Sequence, residues 1–153
     1  TLVSKRYPET VKPYIYFENQ RINSGDGNLN WRLQIWQDVY QDLNDKNKLI
    51  FGYGYAGFIP AMERIDRAGL DGTNIHVHNY FVNILARGGL VHVFLYLLFY
   101  LFLLGRIINY KDRNNTIAFI FAALFVSFFD SSMETVRFPF LFYTVLSYKL
   151  KQE

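Results

Sequence analysis

Two neighbouring residues, His78 and Asn79, stand ten positions ahead of a long uncharged apolar run, Gly88 to Gly105. Histidine titrates near neutrality, so an imidazole there can take a proton from a hydroxyl at physiological pH. The carboxamide of Asn79 can orient that imidazole, meet a hydroxyl itself, or cap the start of a helix. Far upstream, Arg32 falls in the first turn of a plausible helix, where orphan backbone N–H groups and the helix dipole already favour anions. A guanidinium in that turn strengthens an anion site; the plainer reading is an arginine that covers an apolar neighbour or meets solvent.

Other residues invite chemistry less strongly. His76 and His78 face one way if the stretch is extended, but two histidines without a third ligand at matched spacing make a poor metal site. Gly52, Gly54 and Gly57 spell G-x-G-x-x-G after the short apolar segment Leu49-Ile50-Phe51. A dinucleotide site needs those glycines to open a helix inside a βαβ unit. Pro60 follows at once and no second strand appears, so a glycine-rich turn that brings Tyr53 and Tyr55 to a surface is the better account. Arg64 lies on a short helix expected from Pro60 to Ala68 and stopped by Gly69, with Glu63 and Asp66 close enough for local pairing.

The elements that must position these groups change character along the chain. Residues 1–30 read as loop, because Pro8, Pro13 and the run Asn23-Ser24-Gly25-Asp26-Gly27-Asn28 are turn formers, with an apolar patch at Tyr14-Ile15-Tyr16-Phe17. A helix is expected from Asn30, capped by Asn28 or Asn30 and carrying Leu33, Trp36, Val39, Tyr40 and Leu43 on one face. Asn44-Asp45-Lys46-Asn47 ends it. Beyond residue 87 the chain is mostly apolar. Gly88 to Gly105 is long enough to cross a ~30 Å hydrocarbon layer at 1.5 Å per residue. His92 is its one strongly polar member, and such residues usually face protein or water. Shorter apolar runs follow, so spans are expected at about 88–108, 116–133 and 137–150.

Composition agrees with a membrane protein. Aromatic residues make up 19% of the 153, with fifteen Phe and twelve Tyr, and aromatic side chains gather at membrane interfaces. Residues 1–87 carry ten Lys/Arg against nine Asp/Glu, and 88–153 carry six against four. No basic stripe is present, so a nucleic-acid partner is not expected. The absence of cysteine excludes disulfides, thiolate metal sites and cysteine nucleophiles. Arg106, Lys111 and Arg113 in the first connection, with Lys149 and Lys151 at the end, put 105–115 and the tail 151–153 in the cytoplasm by the positive-inside rule. Residues 1–87 and 130–137 then lie outside, on the face that carries His78. The chain starts at Thr1 without Met, and its polar beginning leads to spans at the far end. The expectation is the C-terminal part of something longer.

These residues together resemble a known family. Trp31-Arg32 and Trp36 on an amphipathic helix are followed by Phe51-Gly52-Tyr53-Gly54-Tyr55, then by His78-Asn79, nine residues and Gly89, with a Leu- and Phe-rich span at once behind. The pattern, over roughly residues 24–150, is similar to the C-terminal half of the O-antigen ligase and O-antigen polymerase family of bacterial inner-membrane proteins. The family element usually continues to Gly, Thr or Tyr three residues past the glycine, where this chain has His92. The resemblance implies a mainly α-helical membrane bundle fragment: about three C-terminal transmembrane helices behind a periplasmic loop region, 1–87, of short helices. It implies cofactor-free, metal-independent transfer of a glycan from undecaprenyl diphosphate to a hydroxyl of lipid A core sugar or of another lipid-linked glycan. His78 would be the base and Arg32 the diphosphate ligand, with Asn79, Arg64, Tyr53 and Tyr55 as substrate-binding candidates. Membrane lipid and further N-terminal membrane helices are the other partners implied, and this stretch alone would be inactive. The competing reading is a non-catalytic membrane protein whose outer domain binds carbohydrate or a partner.

Overall fold

The computed structural model describes residues 14–63, 77–108, 112–129, 133 and 135–151. In chain order they form strands β1 (Ile15–Glu18) and β2 (Arg21–Ser24), helix α1 (Gly27–Asp45), a 3₁₀ turn (Pro60–Met62), and helices α2 (Tyr80–Ile107), α3 (Arg113–Phe129) and α4 (Arg137–Lys151). The protein is mainly helical. The hairpin is a correction, since it occupies part of the stretch expected to be loop. Ile15, Tyr16 and Phe17 favour extended backbone, and Asn19 and Gln20 both take positive φ, 53° and 60°. Two such residues make the tight turn whose twist suits a hairpin, with Glu18 opposite Arg21 and Ile15 opposite Ser24. Of the polar cluster that argued for loop, Asn23 and Ser24 end β2 and the rest leads into α1; Pro8 and Pro13 lie outside the described residues.

An exposed strand edge leaves backbone groups unpaired, and α1 covers this one with side chains. The Gln37 carboxamide accepts from Ile22 N at 2.8 Å and donates to Ile22 O at 2.9 Å, and Gln34 donates to the same carbonyl at 3.1 Å. Arg21 pairs with Asp38, a carboxylate buried in α1. The helix starts earlier than expected: Asp26 is the cap, accepting from Leu29 N at 2.7 Å. Asn30 instead accepts from Ser24 N, and Asn28 from Arg32 Nε. The buried stripe is Ile35, Val39 and Leu43, four residues apart, meeting Ile59, Ala61, Met62, Val77 and Ala86 in an outer core. Burial of side chains of this size contributes about 1.5–3 kcal/mol each. Of the expected apolar face, Leu33 is half-buried and Tyr40 is 57% exposed; neither belongs to this core.

Among the described residues α2 alone is long and apolar enough to cross a membrane, and only 17% of its most apolar stretch is buried. A core helix of a soluble protein would be mostly covered; α2 instead exposes Phe94, Leu95, Leu97, Leu98, Leu101 and Phe102. The helix is broken at Gly89, where φ is 63° and ψ is −164°. Its straight inner part, Leu90–Ile107, extends about 27 Å. α3 has 17 residues and α4 has 15, short of the ~20 that an upright span uses. The expected three-span bundle is therefore one helix of span length, with the shorter apolar helix α3 and the more mixed α4 beside it. They share a second core of Tyr100, Leu103, Ile107, Ile120, Phe142 and Leu146, and Phe119 stacks on Phe142 at 5.3 Å. Lys149 near the end of α4 bonds Asp112 just before α3 at 2.9 Å, so the α2–α3 connection and the C-terminal end of α4 lie together.

Candidate functional site

His78 sits one residue outside α2, with φ at +50°. That region is uncommon for residues other than glycine, although histidine enters it more readily than most. The conformation is held from both sides. Ahead of it, Trp36 of α1 donates its indole N–H to Val77 O at 2.8 Å. Behind it, Asn79 caps α2, its side-chain oxygen accepting from Val82 N at 3.1 Å, and is 1% exposed. The Trp31 ring tilts against the imidazole with centroids 5.5 Å apart. The sequence Val77-His78-Asn79 is thereby fixed between an indole clamp and a helix cap, with the imidazole half-buried at the joint.

Arg32 lies next to Trp31 on the same helix. Its Nε donates to Asn28 Oδ1 at 3.2 Å, and another guanidinium nitrogen donates to Phe129 O at 2.5 Å, at the C-terminal end of α3. Trp36 and Phe81 both approach Phe128, each at 6.1 Å. The first turns of α1, the entry to α2 and the end of α3 therefore converge at one junction, which contains both His78 and Arg32. Each is tied to the junction by its own contact, His78 to the Trp31 ring and Arg32 to the end of α3.

The glycine-rich turn is placed elsewhere, at the break in α2. Leu49 O and Ile50 O accept from Leu90 N and Val91 N, at 2.9 and 3.2 Å, while Tyr53 N and Gly54 N donate to Ala86 O and Arg87 O, at 2.8 and 2.7 Å. One loop thus satisfies the carbonyls that end the outer half of α2 and the N–H groups that begin the inner half. The approach is close enough to require glycine on both sides. A Cβ on Gly89 would stand 2.2 Å from Ile50 O, and one on Gly52 would stand 2.5 Å from the Arg87 carbonyl. Arg87 donates to Gly54 O and Gly57 O, which ties the rest of the loop down. Tyr55 is exposed, and its hydroxyl bonds His92 Nδ1 at 2.9 Å on the first turn past the break.

Tyr53 and Tyr55, expected together, have different surroundings. The ring of Tyr53 packs against the outer core, Lys46 Nζ stands 5.7 Å from its centroid, and its buried hydroxyl has no partner among the described residues. Burial pushes that phenol's pKa up, and the carboxylates of Asp42 and Asp45 add to the effect. Arg64 and His76 lie outside the described residues. Two contributors were missed in the sequence: Arg87, and His92 as the partner of Tyr55. A lone arginine directly before a glycine pair at the edge of an apolar run was the available signal for the first. Nothing local pairs residue 55 with residue 92.

Residues 8–97, more than half of the chain, match the family model described as O-Antigen ligase. Neither a curated protein nor a solved structure matches the chain.

Proposed function

The chain belongs to the O-antigen ligase family, and from that premise we propose that it takes part in glycosyl transfer at a bacterial inner membrane. The donor is a glycan on undecaprenyl diphosphate, and the acceptor is a sugar hydroxyl of lipid A core or of another lipid-linked glycan. Residues 1–87 stand on the periplasmic side, with α2, α3 and α4 in the bilayer. The observation that carries this reading is the junction itself: His78 held at the head of the span-length helix with Trp31 on its ring, where α1 also sends Arg32 to the end of α3.

Transfer then follows from ordinary acid–base chemistry. His78 takes the proton of the acceptor hydroxyl as its oxygen attacks the anomeric carbon of the donor. The bond from that carbon to the diphosphate oxygen breaks, its electrons stay on the leaving group, and undecaprenyl diphosphate gains a negative charge. Arg32 stabilises that charge, because among the described residues two of its five N–H donors serve Asn28 and Phe129, and the fork offers the others to phosphate. Asn79 acts on catalysis indirectly, by fixing the cap next to His78. Tyr55, exposed beside His92, is the loop tyrosine assigned to a sugar, while Tyr53 supports the loop. Arg64 remains a candidate for the same anionic donor.

His78→Asn in the intact protein tests the assignment, since asparagine also tolerates positive φ and should preserve the fold. Transfer from undecaprenyl-diphosphate-linked glycan, followed by gel or mass analysis of the product, should fall by roughly 10²–10⁴ with membrane insertion unchanged. Wild-type rates in that variant would remove His78 as the base.

A further inference from the structure

We propose that the groove between the β1–β2 turn and α1 is a subsite for neutral sugars, holding a glycan segment on its way to His78. It encloses about 500 Å³, within the ~300–1,000 Å³ usual for small-molecule sites. The inference rests on the glycosyl-transfer reading for its direction, but its chemistry is independent of it.

The lining explains the choice of ligand. Gln20 on the hairpin turn and Gln41 and Asn44 on α1 are exposed carboxamides around the groove. Each carries a donor and an acceptor, as every sugar hydroxyl does. Tyr40 and Leu33 fall at apolar positions of the helical repeat yet stay out of the core, and both line the groove. An aromatic kept half-exposed among amides offers a face to the C–H side of a sugar ring. Charge argues against an anionic ligand: the one charged lining residue, Arg21, is paired with buried Asp38 and also donates to Gln34 O. An added peptide strand is also disfavoured, because the outer edge of β2 at Ile22 is already occupied by Gln37 and Gln34.

Trp36 sets the direction. The indole lines the groove, and its N–H holds the carbonyl of Val77, the residue before His78. A glycan lying along Gln20, Tyr40 and Asn44 therefore ends against the same side chain that positions the candidate base.

The test uses the intact protein in nanodiscs, with maltotetraose, cellotetraose and chitotetraose as probes and inorganic diphosphate as the charged control. Saturation-transfer NMR and tryptophan fluorescence read binding; a transfer assay with lipid-linked glycan reads KM and kcat. Tyr40→Ala and the double variant Gln41→Ala/Asn44→Ala change exposed side chains, so folding should persist. Each should weaken sugar binding about tenfold, the effect of losing one or two net contacts, and raise the KM for glycan similarly with kcat near wild type. His78→Asn should bind the sugars normally and fail to transfer. Unchanged KM in both groove variants overturns the subsite whichever probe is used, as does diphosphate binding in the groove in place of sugar. A His78→Asn protein that transfers normally while the groove variants lose affinity overturns the catalytic reading and upholds the subsite.

Discussion

His78 and Tyr53 are two side chains whose surroundings make opposite predictions. His78 keeps a backbone conformation that costs of order 1–3 kcal/mol for a residue with a side chain, and two separate hydrogen bonds, from Trp36 to Val77 and from Val82 to Asn79, flank it. Strain that neighbours enforce is a mark of a site, and replacement there should be felt in chemistry before stability. Tyr53 has the reverse signature, since its hydroxyl is shut from water with no partner among the described residues. Removing that oxygen relieves a desolvation cost, so Tyr53→Phe should be neutral or stabilising by about 1 kcal/mol, with transfer retained; thermal unfolding of the detergent-solubilised protein measures it. The pH dependence has a definite sign. A phenol whose pKa is raised in the folded state contributes stability that is complete below its ordinary value near 10 and is lost as pH rises through the folded value. Wild type should therefore lose stability above about pH 10, and Tyr53→Phe should lose less. Equal alkaline losses would show that the shift has no thermodynamic weight.

The nine residues between Asn79 and Gly89 are a helix length: a capped start at Asn79 and a break at Gly89, with the outer half of α2 between them. The spacing that carried the family resemblance is thus the distance between a cap and a loop docking site. That much was legible, because His-Asn ahead of an apolar run and a glycine pair inside it are local signals. The docking of residues 49–54 onto the break was not, since it depends on backbone hydrogen bonds between residues 33 and 41 positions apart in sequence. The hairpin was hidden for another reason: four-residue strands carry little periodicity, and what stabilises β2 is Gln34 and Gln37 of another element. Likewise the apolar repeat on α1 foretold a helix but could not tell the core stripe, Ile35-Val39-Leu43, from residues facing the groove. Gly89→Ala tests the break directly. The added Cβ would meet Ile50 O at 2.2 Å, and a backbone at φ 63°, ψ −164° admits essentially only glycine. The variant should lose several kcal/mol, by the sum of a clash and roughly 1–3 kcal/mol of backbone strain. Size-exclusion profiles of the solubilised protein should shift from a single species to aggregate. A monodisperse, active Gly89→Ala protein would mean that the loop does not need this approach.

At the scale of the molecule, two ends can be told apart without reference to a membrane. One end holds the outer core, the His78 junction and the end of α3 at Phe129, joined to α1 by Arg32. The other holds the α2–α3 connection and the end of α4, joined by Asp112 and Lys149. Between them lies the apolar belt of α2, α3 and α4, with aromatic and aliphatic side chains turned outward, as expected of surface that meets lipid or further helices. Arg106, Arg113, Lys149 and Lys151 all belong to the second end, and positive charge near short loops marks the cytoplasmic side. In the topology we propose, the first end, with the candidate site, faces the periplasm, where a lipid-linked glycan and its acceptor hydroxyl would both reach it. The chain contains no cysteine, which makes this orientation testable by single thiols introduced at exposed positions. Lys48→Cys lies on the first end and Asn114→Cys on the second. A membrane-impermeant maleimide applied to intact spheroplasts should label Lys48→Cys fully and Asn114→Cys only after the membrane is permeabilised. Labelling of both before permeabilisation would place both ends outside and remove the crossing. The reverse order would put His78 in the cytoplasm, on the wrong side for transfer to a periplasmic acceptor.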